Sequence, residues 1–336
     1  MENWNGATWI QKARGLTRDK EKLKISAIHA GVTVGAALVI TLAQLVLSTQ
    51  IEKTSGLSGL GMRSVLQTIE TVLQTANLAL MPFWDLGFLF VGLLWARECA
   101  AAPRDLLAGF RRCGPYLRLM LLQGLLVFLG GVACAYVSSF IFMMTPWAGN
   151  VMEFAQSVGM DMTAASQAMA QMDAAAMEAL MAAMQPMLII WGILGALVLI
   201  PMLYRFRMAG FLILDGQPIG AIAAMVLSSR MLRRRRFKLF LLDLRLWWYY
   251  GLQMFCTVFY LAELWLPMLG ISLPVSSETA GLIFYMVYLL SIFAVQTLLR
   301  PQVAVTYAQA YEYLRQGENV LPKVLETPKN LPWDEA

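Results

Sequence analysis

The sequence has few charged residues and a single histidine, His29. Lys, Arg, Asp and Glu together make up 14% of the 336 residues, whereas soluble domains contain about 25%. The hydrophobic share is 59%, against about 45–50% in soluble domains. This balance argues against a water-soluble protein and indicates a chain whose solvent is largely the lipid bilayer.

Zinc, redox and nucleotide-binding motifs are also missing. Cys99 and Cys113 lie in a basic segment, Cys134 and Cys256 lie in apolar runs, and no C-x-x-C spacing occurs. Zinc and redox sites need thiolates at short spacing or histidine partners. There is no G-x-x-x-x-G-K-[ST], no G-x-G-x-x-G after a strand and no H-E-x-x-H. We therefore expect no metal site, no cofactor and no enzymatic activity.

Six apolar runs are long enough to cross a bilayer as helices, which takes about 20 residues each. They are Ile25–Leu47, Leu78–Trp95, Leu117–Met144, Met187–Leu203, Phe237–Leu266 and Ala280–Leu299. The first run exceeds the h-region of a cleavable signal, so we expect a retained span. The chain then divides into a basic amphipathic segment (1–24), a six-helix transmembrane domain (25–300) and a C-terminal segment and tail (301–336). The predicted outer segments are about 48–77, 145–186 and 267–279.

Basic residues predict the orientation of these spans. With the N-terminus placed in the cytoplasm, 24 of the 26 Lys and Arg residues fall on the cytoplasmic side. Only Lys53 and Arg63 then lie outside. Connecting segments rich in Lys and Arg stay in the cytoplasm, so we expect both termini to be cytoplasmic.

An amphipathic stretch with a basic rim precedes a pair of predicted spans three times. The three amphipathic helices are expected near Trp9–Leu16, Arg104–Cys113 and Ile219–Met231. One apolar stripe with a basic rim is typical of a helix lying in the headgroup layer. The predicted fold is all-α: a six-transmembrane helix bundle with three cytoplasmic interfacial amphipathic helices in a pseudo-threefold pattern repeat.

Three regions carry motifs of a known family. They are the Leu203–Leu244 segment with Tyr204-Arg205, Ile213-Leu214-Asp215, Pro218, Ser228 or Ser229, Met231 and Leu239-Phe240, the Pro82–Gly109 segment with Gly87 and the LLAGF turn, and the closing Tyr307-Ala308 and Ala310-Tyr311. In these motifs the chain resembles the bacterial domain-of-unknown-function 975 family of polytopic membrane proteins. It departs from that family in the long segment after Met144 and at Arg245-Leu246-Trp247-Trp248. The resemblance implies a multi-pass protein of the bacterial cytoplasmic membrane and no established activity.

Asp85 lies in the second predicted span, at the end of a polar stripe. At 100° per residue the stripe comprises Gln67, Glu70, Thr71, Gln74, Asn77 and Asp85. An acid inside a membrane is costly and usually faces protein or water. Two interpretations stay open: a polar funnel or cation site, or a carboxylate that is protonated or paired with an arginine of a neighbouring helix. The candidate intramembrane polar site is Asp85, Asn77, Gln74 and Glu70.

Three other features have a functional and a structural interpretation. The basic run Arg233, Arg234, Arg235, Arg236 with Lys238 could bind anionic lipid headgroups or only anchor the topology. It must lie against headgroups, so nucleic acid is not an expected partner. The methionines of Thr145–Gln185 suit Cu(I), but we expect them to fill gaps in an Ala/Met helix. His29 is expected to be a packed polar group.

The leading functional interpretation is a membrane-embedded binding or transport component for small amphipathic or lipid-soluble molecules. The alternative is a structural or accessory subunit that docks a protein partner through its basic cytoplasmic helices. The bilayer, anionic lipid, a protein partner or a second copy of the chain are the partners that these interpretations imply.

Overall fold

The computed structural model describes residues 4–53, 60–149, 174–215, 219–262, 265–266 and 277–316. These residues are almost entirely helical, as the composition predicts. The α-helices are α1 (Gly6–Leu16), α2 (Lys20–Lys53), α3 (Leu60–Ala96), α4 (Ala108–Arg111), α5 (Cys113–Met143), α6 (Ala174–Phe206), α7 (Ala209–Leu214), α8 (Ala221–Met231), α9 (Arg236–Arg245), α10 (Trp247–Tyr260), α11 (Ser277–Leu298) and α12 (Arg300–Gln316). A 3-10 helix, Pro103–Leu107, precedes α4.

Five apolar helical segments of the described residues are long enough to cross a membrane. They are Lys20–Leu47, Ser64–Ala96, Cys113–Met143, Met184–Leu214 and Ala280–Leu298. Large apolar side chains are widely exposed on them, for example 77% of Leu78 and 66% of Phe128. Soluble monomers do not expose apolar surface on this scale, whereas acyl chains would cover it. The chain is therefore a multi-pass membrane protein.

The predicted fifth span, Phe237–Leu266, is not one continuous helix, and that prediction was wrong. α9 ends at Arg245 and α10 begins at Trp247, with a tight turn at Leu246 between them. The Leu246 N–H donates to the carbonyl of Asp243 at 2.9 Å, an i→i−3 contact typical of 3-10 geometry. The charged residues of α9 account for the break, because charged side chains are costly in the hydrocarbon core and suit the membrane–water interface. α10 rises about 21 Å, less than the about 30 Å of a hydrocarbon core.

The chain divides into two compact units, Arg118–Arg207 and the remainder. In the larger unit, two contacts define how α2 packs on α3. Gln44 donates to Glu70 at 3.3 Å, and the Trp84 indole donates to the carbonyl of His29 at 3.1 Å. Residue numbers rise along one helix as they fall along the other, so α2 and α3 are antiparallel.

The helix α11 is also antiparallel to α2. The hydroxyls of Thr41 and Tyr285 lie 2.6 Å apart, and Ser26 donates to the carbonyl of Gln296 at 3.2 Å. α11 therefore ends at the level where α2 begins. By the same reasoning α3 and α11 run in the same direction.

The helix α10 lies antiparallel to α11 and α12. Near its start, the hydroxyls of Tyr250 and Tyr307 are 2.8 Å apart. At its end, the Tyr260 ring lies 5.8 Å from the ring of Tyr285. α10 thus extends from the level of α12 to the middle of α11.

Two glycines bring α3 into backbone contact with the segment that follows it. A Cβ on Gly87 would lie 1.7 Å from the carbonyl oxygen of Leu106, and one on Gly109 would lie 1.9 Å from that of Phe83. No other residue fits either position. This contact fixes the 3-10 helix and α4 against the buried face of α3. The span Ser64–Ala96 of α3 is 56% buried, whereas the other four spans are 6–17% buried.

The three predicted amphipathic elements are all present, with one difference in form. The first is α1 and the third is α8. The second is a 3-10 helix followed by a single α-turn, Ala108–Arg111, rather than a regular helix. Pro103 and the two-glycine contact constrain this segment, which explains the shorter form. The pseudo-threefold repeat and the membrane depth of these elements stay predictions.

The smaller unit consists of most of α5 together with α6, which form an antiparallel pair. Gln123 donates to the carbonyl of Phe206 at 3.5 Å. About two helical turns further along α5, a Cβ on Gly130 would lie 3.0 Å from the side chain of Leu199. Of the methionine-rich segment in this unit, residues 150–173 lie outside the described residues, so its predicted role is open.

Candidate functional site

Asp85 forms an ion pair with Arg300 inside the larger unit. The Arg300 Nη2 lies 2.7 Å from the Asp85 Oδ1, and Arg300 Nη1 donates to Gln296 at 2.8 Å. The guanidinium also lies over the ring of Phe88, 5.3 Å from its centre. Asp85 is about two thirds of the way along the span Ser64–Ala96, whereas Arg300 begins α12 just beyond the last span. The pair therefore joins two helices that are far apart in the sequence.

His29 forms the wall of this site on the α2 side. Its imidazole is 1% exposed, stacks on Trp84 with ring centres 5.4 Å apart, and lies 4.5 Å from Phe88. Its Nε2 is 3.4 Å from Asp85 Oδ1, without the geometry of a full hydrogen bond. The imidazole is thus packed between aromatic rings, with its one polar edge directed to the carboxylate.

The Asp85 carboxylate keeps one oxygen available. Within the described residues, both Arg300 and His29 approach Oδ1, and no hydrogen bond or ion pair uses Oδ2. The side chain of Asp85 is 47% exposed and that of Arg300 is 19% exposed. The pair therefore presents a carboxylate oxygen at the surface of a membrane-spanning helix, where a charged group is costly unless something polar meets it.

The other residues of the predicted polar stripe do not join Asp85. Glu70 accepts from Gln74 at 3.4 Å and from Gln44 of α2 at 3.3 Å. Fifteen residues of helix place this group about 22 Å from Asp85 along α3. Asn77 lies between them and makes no hydrogen bond to any described residue. The stripe thus supplies two separate polar groups, of which the one at Asp85 carries the ion pair.

A second buried charge cluster lies where α3 ends, and we name it the Arg97 cluster. It comprises Arg97, Asp215, Tyr311, Glu312 and Arg315. Arg97 Nη2 lies 2.6 Å from both Asp215 Oδ1 and Glu312 Oε1, and Tyr311 donates to Asp215 Oδ2 at 2.7 Å. Arg315 completes the cluster with contacts of 3.3 Å to Asp215 and 3.2 Å to Glu312.

The Arg97 cluster is balanced in charge and shifts two pKa values. Burial alone would lower the pKa of Arg97, but the carboxylates of Asp215 and Glu312 outweigh it and raise that pKa above its ordinary value. Burial, together with the charge of Asp215 and the bond to it, raises the pKa of Tyr311 well above its ordinary value. Two guanidinium groups and two carboxylates thus pair with one another beside the phenol of Tyr311, as expected for a buried network.

Sequence reasoning did not identify the Arg97 cluster as a site. Asp215 and Tyr311 stood out only as motif residues, and Arg97 only as one of the positive charges after the second span. The available signal was Asp215 directly after an apolar run, since a buried acid needs a partner. The identity of that partner depends on how α12 packs on α3, and no sequence pattern shows this.

The predicted basic site is a turn between α8 and α9. Arg233, Arg234 and Lys238 are exposed, as a lipid-headgroup site or a topology anchor requires. The guanidinium of Arg235 lies over the ring of Tyr313, 5.3 Å from its centre. Among the described residues, Arg235 Nη1 and Arg236 Nε are buried without a hydrogen-bond partner. The turn is thus held against α12 by one arginine while its neighbours point outward.

Comparisons with protein-family models, with curated proteins and with solved structures find no match. The resemblance to the domain-of-unknown-function 975 family therefore stays a prediction from the motifs.

Proposed function

We propose that this chain is a membrane-embedded binding or transport component for small amphipathic molecules, with Asp85 as the group that meets their polar end. The observation that supports this is the half-exposed carboxylate in the most buried span, with Oδ2 free of described partners. If the carboxylate of Asp85 only had to be neutralised, its full burial together with Arg300 would be the more stable arrangement.

The chemistry of the site favours ligands with a hydrogen-bond donor. Asp85 Oδ2 is an acceptor, and Arg300 already compensates the carboxylate charge. An ammonium or hydroxyl group can donate to Oδ2 while an apolar tail lies along the exposed apolar surface of α2 or α3. Val39 of α2, which is 65% exposed, is an example of that surface.

A series of alkyl compounds that share one chain length tests this proposal. Octylamine, octanol and octanoate are added to the purified protein in lipid nanodiscs, and the melting temperature is recorded. We expect the amine and the alcohol to raise the melting temperature of the wild type and not that of Asp85→Asn, while octanoate raises neither. Glu70→Gln is the matched control, because it makes the same change in the other polar group of α3.

Equal shifts in the wild type and in Asp85→Asn would contradict the proposal, because the compounds would then act through the bilayer. The absence of any shift in the wild type would contradict it as well.

We also propose that the protein belongs to the bacterial cytoplasmic membrane with both termini in the cytoplasm. The distribution of 24 of 26 basic residues supports this orientation. Contact between α1 and α12 supports it too, since the Trp9 and Tyr313 rings lie 5.5 Å apart. Termini on one side require an even number of crossings. We propose α10, which lies antiparallel beside α11, as part of the sixth crossing.

A second candidate function is docking of a protein partner through the basic cytoplasmic elements. The outward-pointing Arg233, Arg234 and Lys238 favour it. Charge reversal of these three residues should abolish co-purification of a partner while the melting temperature of the isolated protein stays unchanged. If the reversed variant loses bound anionic lipid instead, the turn is a lipid site.

A further inference from the structure

Helix α9 packs on the rest of the larger unit through one face. Leu239 and Leu242 on that face are buried, with 1% exposure or less. A Cβ on Gly6 of α1 would lie 2.9 Å from the side chain of Leu242. Asp243 accepts a hydrogen bond from the hydroxyl of Tyr307 in α12. The inner face of α9 is thus held against α1 and α12.

The outer face of α9 exposes large apolar side chains, and we name it the α9 stripe. Its members are at least 40% exposed and are spaced so that they share one side of the helix: Phe237, Phe240, Leu241 and Leu244. The stripe continues at Trp247, which begins α10 and is 68% exposed. α9 therefore has a protein-facing side and an apolar side turned away from the protein.

The depth of α9 follows from its contact with α12. Tyr307, which holds α9, lies on α12 between Ala304 and Glu312. A Cβ on Gly92 of α3 would be 3.0 Å from Ala304, and Arg97 of α3 contacts Glu312. The membrane span of α3 ends between these two α3 residues. α9 thus lies at the level where a spanning helix leaves the hydrocarbon core, which is the depth of an interfacial helix.

The basic side chains beside the α9 stripe are not balanced by acids. Residues 230–245 contain seven basic side chains and one acid, Asp243, and that acid is turned inward to Tyr307. Three of the basic side chains are exposed and make no hydrogen bond or ion pair with any described residue: Arg233, Arg234 and Lys238. Unpaired positive charge at the headgroup level attracts anionic lipids.

The charges and the stripe together favour a phospholipid over other anionic partners. A free phosphate ion or an acidic soluble protein would meet the charges and leave the stripe exposed. A phospholipid meets both, because its phosphate reaches the basic side chains while its acyl chains cover the apolar ones. The stripe also continues into the exposed apolar face of α10, where Met254 is 72% exposed.

We propose that α9 lies in the headgroup layer and forms, with the turn between α8 and α9, a binding site for an anionic phospholipid. The phosphate accepts hydrogen bonds from Arg233, Arg234 and Lys238, and the acyl chains lie against Phe240 and Leu244. This site is independent of the proposed function at Asp85. It competes with the docking of a protein partner at the same turn.

Spin labels on single cysteines test the depth of α9. In a variant without native cysteines, labels at positions 240, 244 and 238 are measured in nanodiscs of phosphatidylcholine and phosphatidylglycerol. We expect the labels at Phe240 and Leu244 to be relaxed more by oxygen than by a water-soluble nickel complex, and the label at Lys238 to show the reverse. Stronger relaxation by the nickel complex at all three positions would overturn the proposed placement of α9.

The melting temperature of the delipidated full-length protein in detergent tests the preference for an anionic headgroup. We expect phosphatidylglycerol to raise the melting temperature of the wild type more than phosphatidylcholine does. The triple variant Arg233→Gln, Arg234→Gln, Lys238→Gln should lose this difference. Arg234→Gln alone changes one exposed side chain and should lose part of it, so the test does not depend on correct folding of the triple variant. Inorganic phosphate should not reproduce the effect of phosphatidylglycerol.

A second basic segment provides the matched control. It precedes the first span and contains acids among its basic residues, namely Asp19 and Glu21. The control variant replaces three exposed basic residues there, Arg18→Gln, Lys20→Gln and Lys24→Gln. Because it removes the same charge from another segment, it should keep the preference for phosphatidylglycerol.

Four results would overturn the lipid site. They are an equal preference in the wild type and the triple variant, an equal loss in the control variant, the same shift with inorganic phosphate, and a co-purified protein partner that depends on the same three basic residues. Asp85→Asn should keep the preference for phosphatidylglycerol, so failure here and failure of the Asp85 proposal are distinguishable.

Discussion

Arg300 Nη2 lies 2.7 Å from Asp85 Oδ1 and joins α12, the first helix after the last span, to the second span. Of the two interpretations that the sequence leaves open for Asp85, pairing with an arginine is the arrangement that the structure contains. The carboxylate is nevertheless 47% exposed. Pairing therefore does not enclose it, and a role in binding remains compatible with the ion pair.

The pair should contribute a measurable coupling energy. We expect Asp85→Asn, Arg300→Gln and the double variant to give a coupling of about 1–2 kcal/mol in reversible unfolding, within the range for contacting residues. The surface pair Lys12 and Glu98, 3.0 Å apart with side chains 54% and 63% exposed, is the matched control and should couple by less than about 0.5 kcal/mol. Equal coupling in the two pairs would contradict the partial burial of the Asp85 pair, in which Arg300 is 19% exposed.

Gly87→Ala and Gly109→Ala should each destabilise the protein by about 2 kcal/mol or more, because the new methyl group meets a backbone carbonyl that cannot move aside. Gly131→Ala is the control, since nothing lies within 4 Å of a Cβ there. The melting temperature of each variant is measured in the same detergent. Wild-type stability in Gly87→Ala would show that α3 and Leu106 do not approach as closely as described.

The hydroxyl of Tyr311 should make stability depend on alkaline pH. The pKa of Tyr311 in the folded protein lies well above 10.0, so the fold favours the protonated phenol. Its contribution is complete below about pH 10 and is lost as the pH rises through the folded pKa. The wild type should exceed Tyr311→Phe by about 2 kcal/mol at neutral pH, and this difference should shrink above pH 10. A difference that grows above pH 10 would contradict the bond to Asp215.

The apolar composition and the positions of the charges predicted more of the fold than of the sites. Five predicted spans, near residues 25, 78, 117, 187 and 280, coincide with long apolar helices, because a bilayer requires long uninterrupted apolar runs. The span predicted at Phe237–Leu266 failed at Leu246. There, charged residues and a tight turn interrupt a run whose average composition still looks apolar.

The sites depend on contacts between distant helices. Asp85 could be identified from its position in a span, whereas Arg300 as its partner could not, since many arginines lie on the same side. Helix α12 is buried along most of its length, although its sequence alternates small, polar and aromatic residues without the long apolar run that marks a span. The Arg97 cluster needs α12 in place, which is why sequence patterns did not indicate it.

Labelling of single cysteines tests the orientation. In a variant without native cysteines, Ala165→Cys should react with an impermeant thiol reagent on intact cells, because the segment around it carries no Lys or Arg. Lys12→Cys should react only after the cells are permeabilised. Reaction of both or of neither on intact cells would rule out the proposed orientation.

The accessibility of position 85 to water tests whether Asp85 lies at a polar binding site. In a variant without native cysteines, Asp85→Cys and Leu80→Cys are each exposed to a small charged methanethiosulfonate reagent in membranes. Leu80 lies on the opposite side of α3 and is 52% exposed, so it serves as the lipid-facing control. We predict rapid modification at position 85 and none at position 80, because a polar ligand site must admit water. Protection of position 85, or equal reaction at both positions, would contradict the account of Asp85 as a binding group.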